Sequence, residues 1–103
     1  MAATPESKVK AKVVKMLKHY DIYYFSPATH GFGRSGVPDL VCCANGKFLA
    51  IECKAGTNKL TPLQVREIRA IQLHKGVVMV VNEDRFDALE QILKELIRYD
   101  DNK

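Results

Sequence analysis

The chain has 103 residues, 47% of them apolar and 27% charged, with a net charge of +4. These are the proportions of a soluble single domain with one core, and no apolar run reaches the length of a membrane span. Three cysteines, two of them adjacent (Cys42 and Cys43), exclude a disulfide framework, and with no CxxC and with His19, His30 and His74 scattered there is no zinc-site spacing either.

The N-terminal stretch lacks the apolar centre of a signal peptide, which with the cysteine usage points to a reducing, cytoplasmic setting. Positive charge is concentrated before Val81, whereas the remainder is net acidic. A basic surface around a few carboxylates suits a polyanionic partner, and it also describes an ordinary solvated face.

Thr4-Pro5 is a helix start, with Thr as N-cap and Pro at the first helical position. Val9, Val13, Met16, Leu17 and Tyr20 follow helical spacing to about Asp21, and Lys8, Lys12, Lys15 and Lys18 mostly take the other side. Glu6 extends the buried stripe. It either complements the helix dipole or reaches inward to other acids. Ile22–Phe25 is a short β-prone run stopped by Ser26-Pro27. Residues 28–36 form a loop with three glycines that also holds Thr29, His30, Arg34 and Ser35. No strand-to-helix context makes it a nucleotide-binding loop. It reads as a connector, or as a phosphate grip formed by backbone N–H groups and a cation.

Residues 37–54 are the centre of the chain. Asn45-Gly46 between apolar runs predicts a hairpin with a type I′ turn, which needs positive φ at both positions. That turn sets Ala44 opposite Lys47 and, further along, Asp39 opposite Glu52. Opposed residues share a face with Cβ atoms about 5 Å apart, and Lys54 lies on that face as well. Two adjacent carboxylates need a proton, a cation or a lysine beside them. An all-oxygen site selects a hard ion, Mg²⁺ or Mn²⁺.

After a loop that includes Lys59, Thr61-Pro62-Leu63-Gln64 has the full capping-box pattern. Gln64 therefore has a structural role, yet it shares a helix face with Ile68 and Ile71 and so also points at the sheet. His74-Lys75-Gly76 is expected to end this helix with Gly in the left-handed cap. Val77–Val81 reads as a buried strand parallel to the second hairpin strand. From about Asp84 to Tyr99, Phe86, Leu89, Ile92, Leu93, Leu96 and Ile97 mark a docking helix. The expected fold is one α/β domain over residues 1–103, in the order α-β-β-β-α-β-α, with a mixed sheet flanked by helices. Cys42, Cys43 and Cys53 read as core or near-core residues.

The residues Val37-Pro38-Asp39 followed by Glu52-Cys53-Lys54 resemble the signature of PD-(D/E)XK nucleases. Glu6, Gly36-Val37-Pro38-Asp39-Leu40 and Gln64 resemble more closely the VRR-NUC branch, virus-type replication-repair nucleases. The resemblance implies the restriction-endonuclease-like core and Mg²⁺- or Mn²⁺-dependent hydrolysis of DNA phosphodiesters, with no small-molecule cofactor. Asp39, Glu52 and the backbone carbonyl of Cys53 would hold the ion, with Glu6 a further ligand of the metal or of a water. Lys54 would orient or deprotonate that water or stabilise developing charge, and Gln64 would hydrogen-bond to the site or to DNA. His30, Arg34, Ser35, Lys59 and the loop backbone would grip phosphates. Compact relatives imply a phage- or virus-encoded homodimer acting on branched DNA, including four-way (Holliday) junctions. Apolar residues of the first strand or last helix are candidates for the dimer contact. Two other readings stand beside this one: a branched-DNA-binding module that does not cut, and a nuclease-fold subunit of a replication or repair assembly.

Overall fold

In the computed structural model, which describes residues 3–28 and 33–98, seven elements follow the expected order: α1 (Pro5–His19), β1 (Tyr23–Phe25), β2 (Leu40–Ala44), β3 (Lys47–Cys53), α2 (Pro62–Leu73), β4 (Val77–Val81) and α3 (Phe86–Arg98). The protein is α/β, with one four-stranded mixed sheet in the order β1-β2-β3-β4. Thr4 caps α1 by accepting a hydrogen bond from Ser7 N at 3.1 Å, and Asp21 turns left-handed (φ 54°) to end the helix and start β1. The hairpin turn has φ 55° at Asn45 and 81° at Gly46, as a type I′ loop requires. Its register runs from Ala44↔Lys47 to Leu40↔Ile51, and β4 joins β3 in parallel through α2.

Alternation along these strands gives the sheet two unlike faces. One carries Leu40, Cys42 and Ala44 of β2, Leu49, Ile51 and Cys53 of β3, and Met79 and Val81 of β4. Together with Val9, Val13 and Leu17 of α1 and Leu89 and Leu93 of α3 they form the buried core. Tyr20 Oη donates to Glu90 at 2.7 Å, tying α1 to α3 at its margin. The other face carries Ala50, Glu52, Val78 and Val80 beneath α2, while Tyr23, Phe25, Cys43 and Phe48 are exposed beside it.

Two expectations are corrected here. Lys75, not Gly76, adopts the left-handed conformation after α2 (φ 69°). Gly76 is needed for space: a Cβ there would lie 2.5 Å from Ile71 Cγ2 and 3.0 Å from Phe48 Cδ1. The chain drops into β4 directly under the end of its own helix, so close approach decides the residue. Cys43 is exposed rather than near-core, because its strand position faces away from α1 and α3 where α2 does not reach; Cys42 and Cys53 are buried. Tyr99 lies outside the described residues. No described helix is long and apolar enough to cross a membrane.

Candidate active site

Asp39 lies one residue before the first β2 pair, so continuing the register from Leu40↔Ile51 places it across from Glu52. Its Oδ2 accepts the backbone N–H of Cys53 at 2.8 Å. The carboxylate thus extends the ladder past its last strand pair, and that bond fixes its orientation. Glu52 is 2% exposed. Its Oε2 accepts a hydrogen bond from Gln64 Nε2 at 2.9 Å. Gln64 Oε1 accepts in turn from Thr61 N at 2.9 Å, completing the capping box. One amide therefore serves both roles, its acceptor at the helix cap and its donor at the acid.

Burial, the adjacent Asp39 charge and a hydrogen bond to Asp39 push the Glu52 carboxyl up to about 8, against a smaller opposing pull from Lys54. Glu52 therefore keeps its proton at neutral pH unless a cation takes its place. Lys54 follows the last residue of β3 and is 9% exposed. Its backbone N–H donates to Val81 O at 2.9 Å, which anchors it beside β4. Glu6, from the first turn of α1, lines a hollow of about 160 Å³ with Thr4, Ser7, Lys10, Asp39 and Cys53. Ser26 Oγ accepts from Lys10 Nζ at 2.7 Å and donates to Asp39 O at 2.9 Å, tying α1 to the backbone before β2. The Cys53 thiol is pushed up to about 12 by burial and the neighbouring acids, so it is neutral and no nucleophile.

Asp39, Glu52, Cys53, Lys54, Glu6 and Gln64 are thus brought together from β2, β3 and two helix starts. Among the described residues, no three His, Cys, Asp or Glu side chains converge into a self-sufficient metal centre. The acid pair fits a cation that takes its remaining ligands from backbone, water or substrate, as Mg²⁺ does.

His30 lies outside the described residues. Ser35 and Lys59 are exposed. Arg34 donates from Nη2 to Glu67 Oε1 at 2.9 Å. Glu67, 6% exposed, was not singled out from the sequence, and Arg66 approaches its other oxygen at 3.7 Å. The signal was its spacing three residues after Gln64, on the stripe that continues to Ile71. Gly36 fastens the same loop to α2: its φ is +83°, and a Cβ would meet the Leu63 carbonyl carbon at 2.5 Å. Close approach and left-handed backbone both demand glycine there.

No protein-family model matches the chain. It is similar to "Putative nuclease p44" of Acyrthosiphon pisum secondary endosymbiont phage 1, with 46% identity over 54 residues, which is 50% of this chain and 58% of that protein. The chain therefore spans little more than half the length of this relative.

Proposed function

We propose that the protein is a divalent-metal-dependent DNA endonuclease of the VRR-NUC type. The observation that carries this reading is the pairing of half-buried Asp39 with buried Glu52 and Lys54 beside them, each acid oriented by a separate hydrogen bond. The phage relative bearing a nuclease name supports the same class. Asp39, Glu52 and the Cys53 carbonyl would hold Mg²⁺ or Mn²⁺, with Glu6, which lines the same hollow as Asp39, a further ligand of the metal or of a water. The ion supplies Lewis-acid polarisation of the scissile phosphate and a more acidic water.

The chain's own residues do the remaining work. Cys53 N–H and Gln64 Nε2 fix the two carboxylates before substrate arrives, so no reorganisation accompanies the reaction. Lys54, largely withdrawn from water, places a positive charge where negative charge develops or steers the attacking water. Arg34 sits on a loop docked beside the site, and with Ser35, Lys59 and His30 it serves phosphate binding, which weakens with salt. The substrate in this reading is branched DNA such as a four-way junction, and the working form is a homodimer in the host cell.

The test is cleavage of a labelled four-way junction with Mg²⁺ or Mn²⁺. Wild type cuts it, EDTA stops the reaction, and Asp39→Ala and Lys54→Ala lose at least about 10²-fold in rate while keeping native circular dichroism. Binding without cleavage by wild type in either metal would establish a non-cleaving branched-DNA module instead. Sizing at micromolar concentration, alone and on the junction, tests the dimer; a monomer in both would remove symmetric junction resolution.

A further inference from the structure

The sheet face that carries Asp39 and Glu52 continues beyond the cover of α2, and its open part has an unusual composition. Register places Tyr23, Cys43 and Phe48 side by side across β1, β2 and β3, with Phe25, Val41 and Ala50 in the next row toward the acids. The row after that holds Asp39 and Glu52. Rows on one face are about 6.7 Å apart, so the aromatic rows lead straight to the acid pair. Tyr23 is 69% exposed, Phe25 47% and Phe48 45%. Between these bulky walls Cys43 and Val41 make a low floor. Exposed aromatics in consecutive rows of one sheet face exceed the scattered apolar exposure normal for a surface.

Cations border this patch. Phe48 also lines a cleft of about 370 Å³ with Arg34, His74, Lys75, Ile71 and Gly76. Rings flanked by Arg and Lys suit bases whose phosphates run alongside. A two-fold contact between copies centred on Phe48 would instead bring Arg34 and Lys75 of both chains together, which like-charge repulsion opposes.

We propose that this open face is a stacking groove for unpaired nucleotides, receiving a single-stranded segment of the nucleic acid that is cut at the acid pair. The inference rests on the nuclease reading and narrows its substrate class: the favoured DNA carries unpaired bases next to the scissile phosphate. A continuous duplex keeps its base faces stacked and cannot offer them to Tyr23, Phe25 or Phe48.

Cys43 provides a direct probe, since it is the exposed thiol of the groove floor while Cys42 and Cys53 are buried. In EDTA, the rate of Cys43 alkylation by iodoacetamide is followed by mass spectrometry with a short oligothymidylate or a duplex of equal length present. The expected result is protection of at least fivefold by the single strand and little by the duplex. Fluorescence anisotropy is expected to show Phe48→Leu and Tyr23→Leu each weakening single-strand affinity at least fivefold, the low end for losing one stacked base. Leu73→Ala, at an apolar residue 78% exposed at the end of α2, leaves that affinity unchanged. Unaltered alkylation with the oligonucleotide bound, or equal losses from Leu73→Ala and Phe48→Leu, overturns the groove. Protection that grows with protein concentration in the absence of DNA overturns it in favour of a second copy. Failure of wild type to cut any DNA in Mg²⁺ or Mn²⁺, with base-dependent protection intact, removes the nuclease reading and leaves the groove standing.

Discussion

The two faces of the sheet differ in how they are held. Between the sheet and α1 and α3, fourteen of the described residues form one buried apolar cluster. Beneath α2, Glu67 is the buried residue of the helix, and the packing on Ala50, Val78 and Val80 is joined by directed bonds from Gln64 to Glu52 and from Arg34 to Glu67, with Gly36 in close approach to Leu63. A packed core tolerates a cost elsewhere. Here that cost is Glu52, an acid held out of water next to another acid. The dry face supplies stability, and the polar face positions charge that would be unfavourable without a partner.

Substitutions can separate these roles. The largest stability loss is expected from Leu93→Ala, fully buried between α3 and the sheet: about 2–5 kcal/mol in urea unfolding. Gly36→Ala comes next, at about 1–3 kcal/mol, because a Cβ meets the Leu63 backbone in a left-handed conformation. Faster proteolysis of the loop around residues 33–36, with the core still cooperative, would locate that damage on the α2 side. An unchanged proteolytic rate would show that the loop is not pinned there.

The pH response of the metal-free protein isolates the acid pair. Glu52 is raised from 4.5 to about 8 in the folded state. Between these values the unfolded chain has released the proton and the folded chain has kept it, so stability falls as pH rises through this window. In EDTA the melting temperature is expected to drop from pH 5 to pH 8, and Mg²⁺ at pH 8 to restore it. A melting temperature that rises with pH across this range would contradict the arrangement. The smallest effect is expected from Gln64→Ala, about 1 kcal/mol for the lost cap. Gln64→Glu keeps the acceptor for Thr61 N–H but swaps the donor to Glu52 for a third acid. Its deficit in thermal melts should therefore grow with pH more steeply than that of Gln64→Ala, which loses a donor to Glu52 without adding a charge.

Local chemistry made much of this legible in advance. Asn45-Gly46 allows only one register that keeps the apolar residues of both strands on a shared face, and from that register the Asp39–Glu52 juxtaposition follows. Thr61 and Gln64 announce their helix start because the capping box is local. Gln64 presented an apparent choice between cap and site; an amide has both a donor and an acceptor, so the structure uses each once. What could not be read depends on distance in the chain. Arg34 and Glu67 are far apart in sequence, and nothing local marks them as partners. The exposure of Cys43 depends on where α2 stops, and the role of Gly76 depends on Phe48 and Ile71 arriving over it. The strand pattern alone contains none of this.

The bond from Cys53 N–H to Asp39 has a kinetic consequence. A hairpin that closes from Asn45-Gly46 reaches this rung last, so the two acids meet only when the rest of the ladder already exists. Contacts completed after the transition state change the unfolding rate and leave the folding rate nearly untouched. A cation held by Asp39 and Glu52 would therefore act as a latch: it would lengthen the lifetime of the folded chain without hastening its formation.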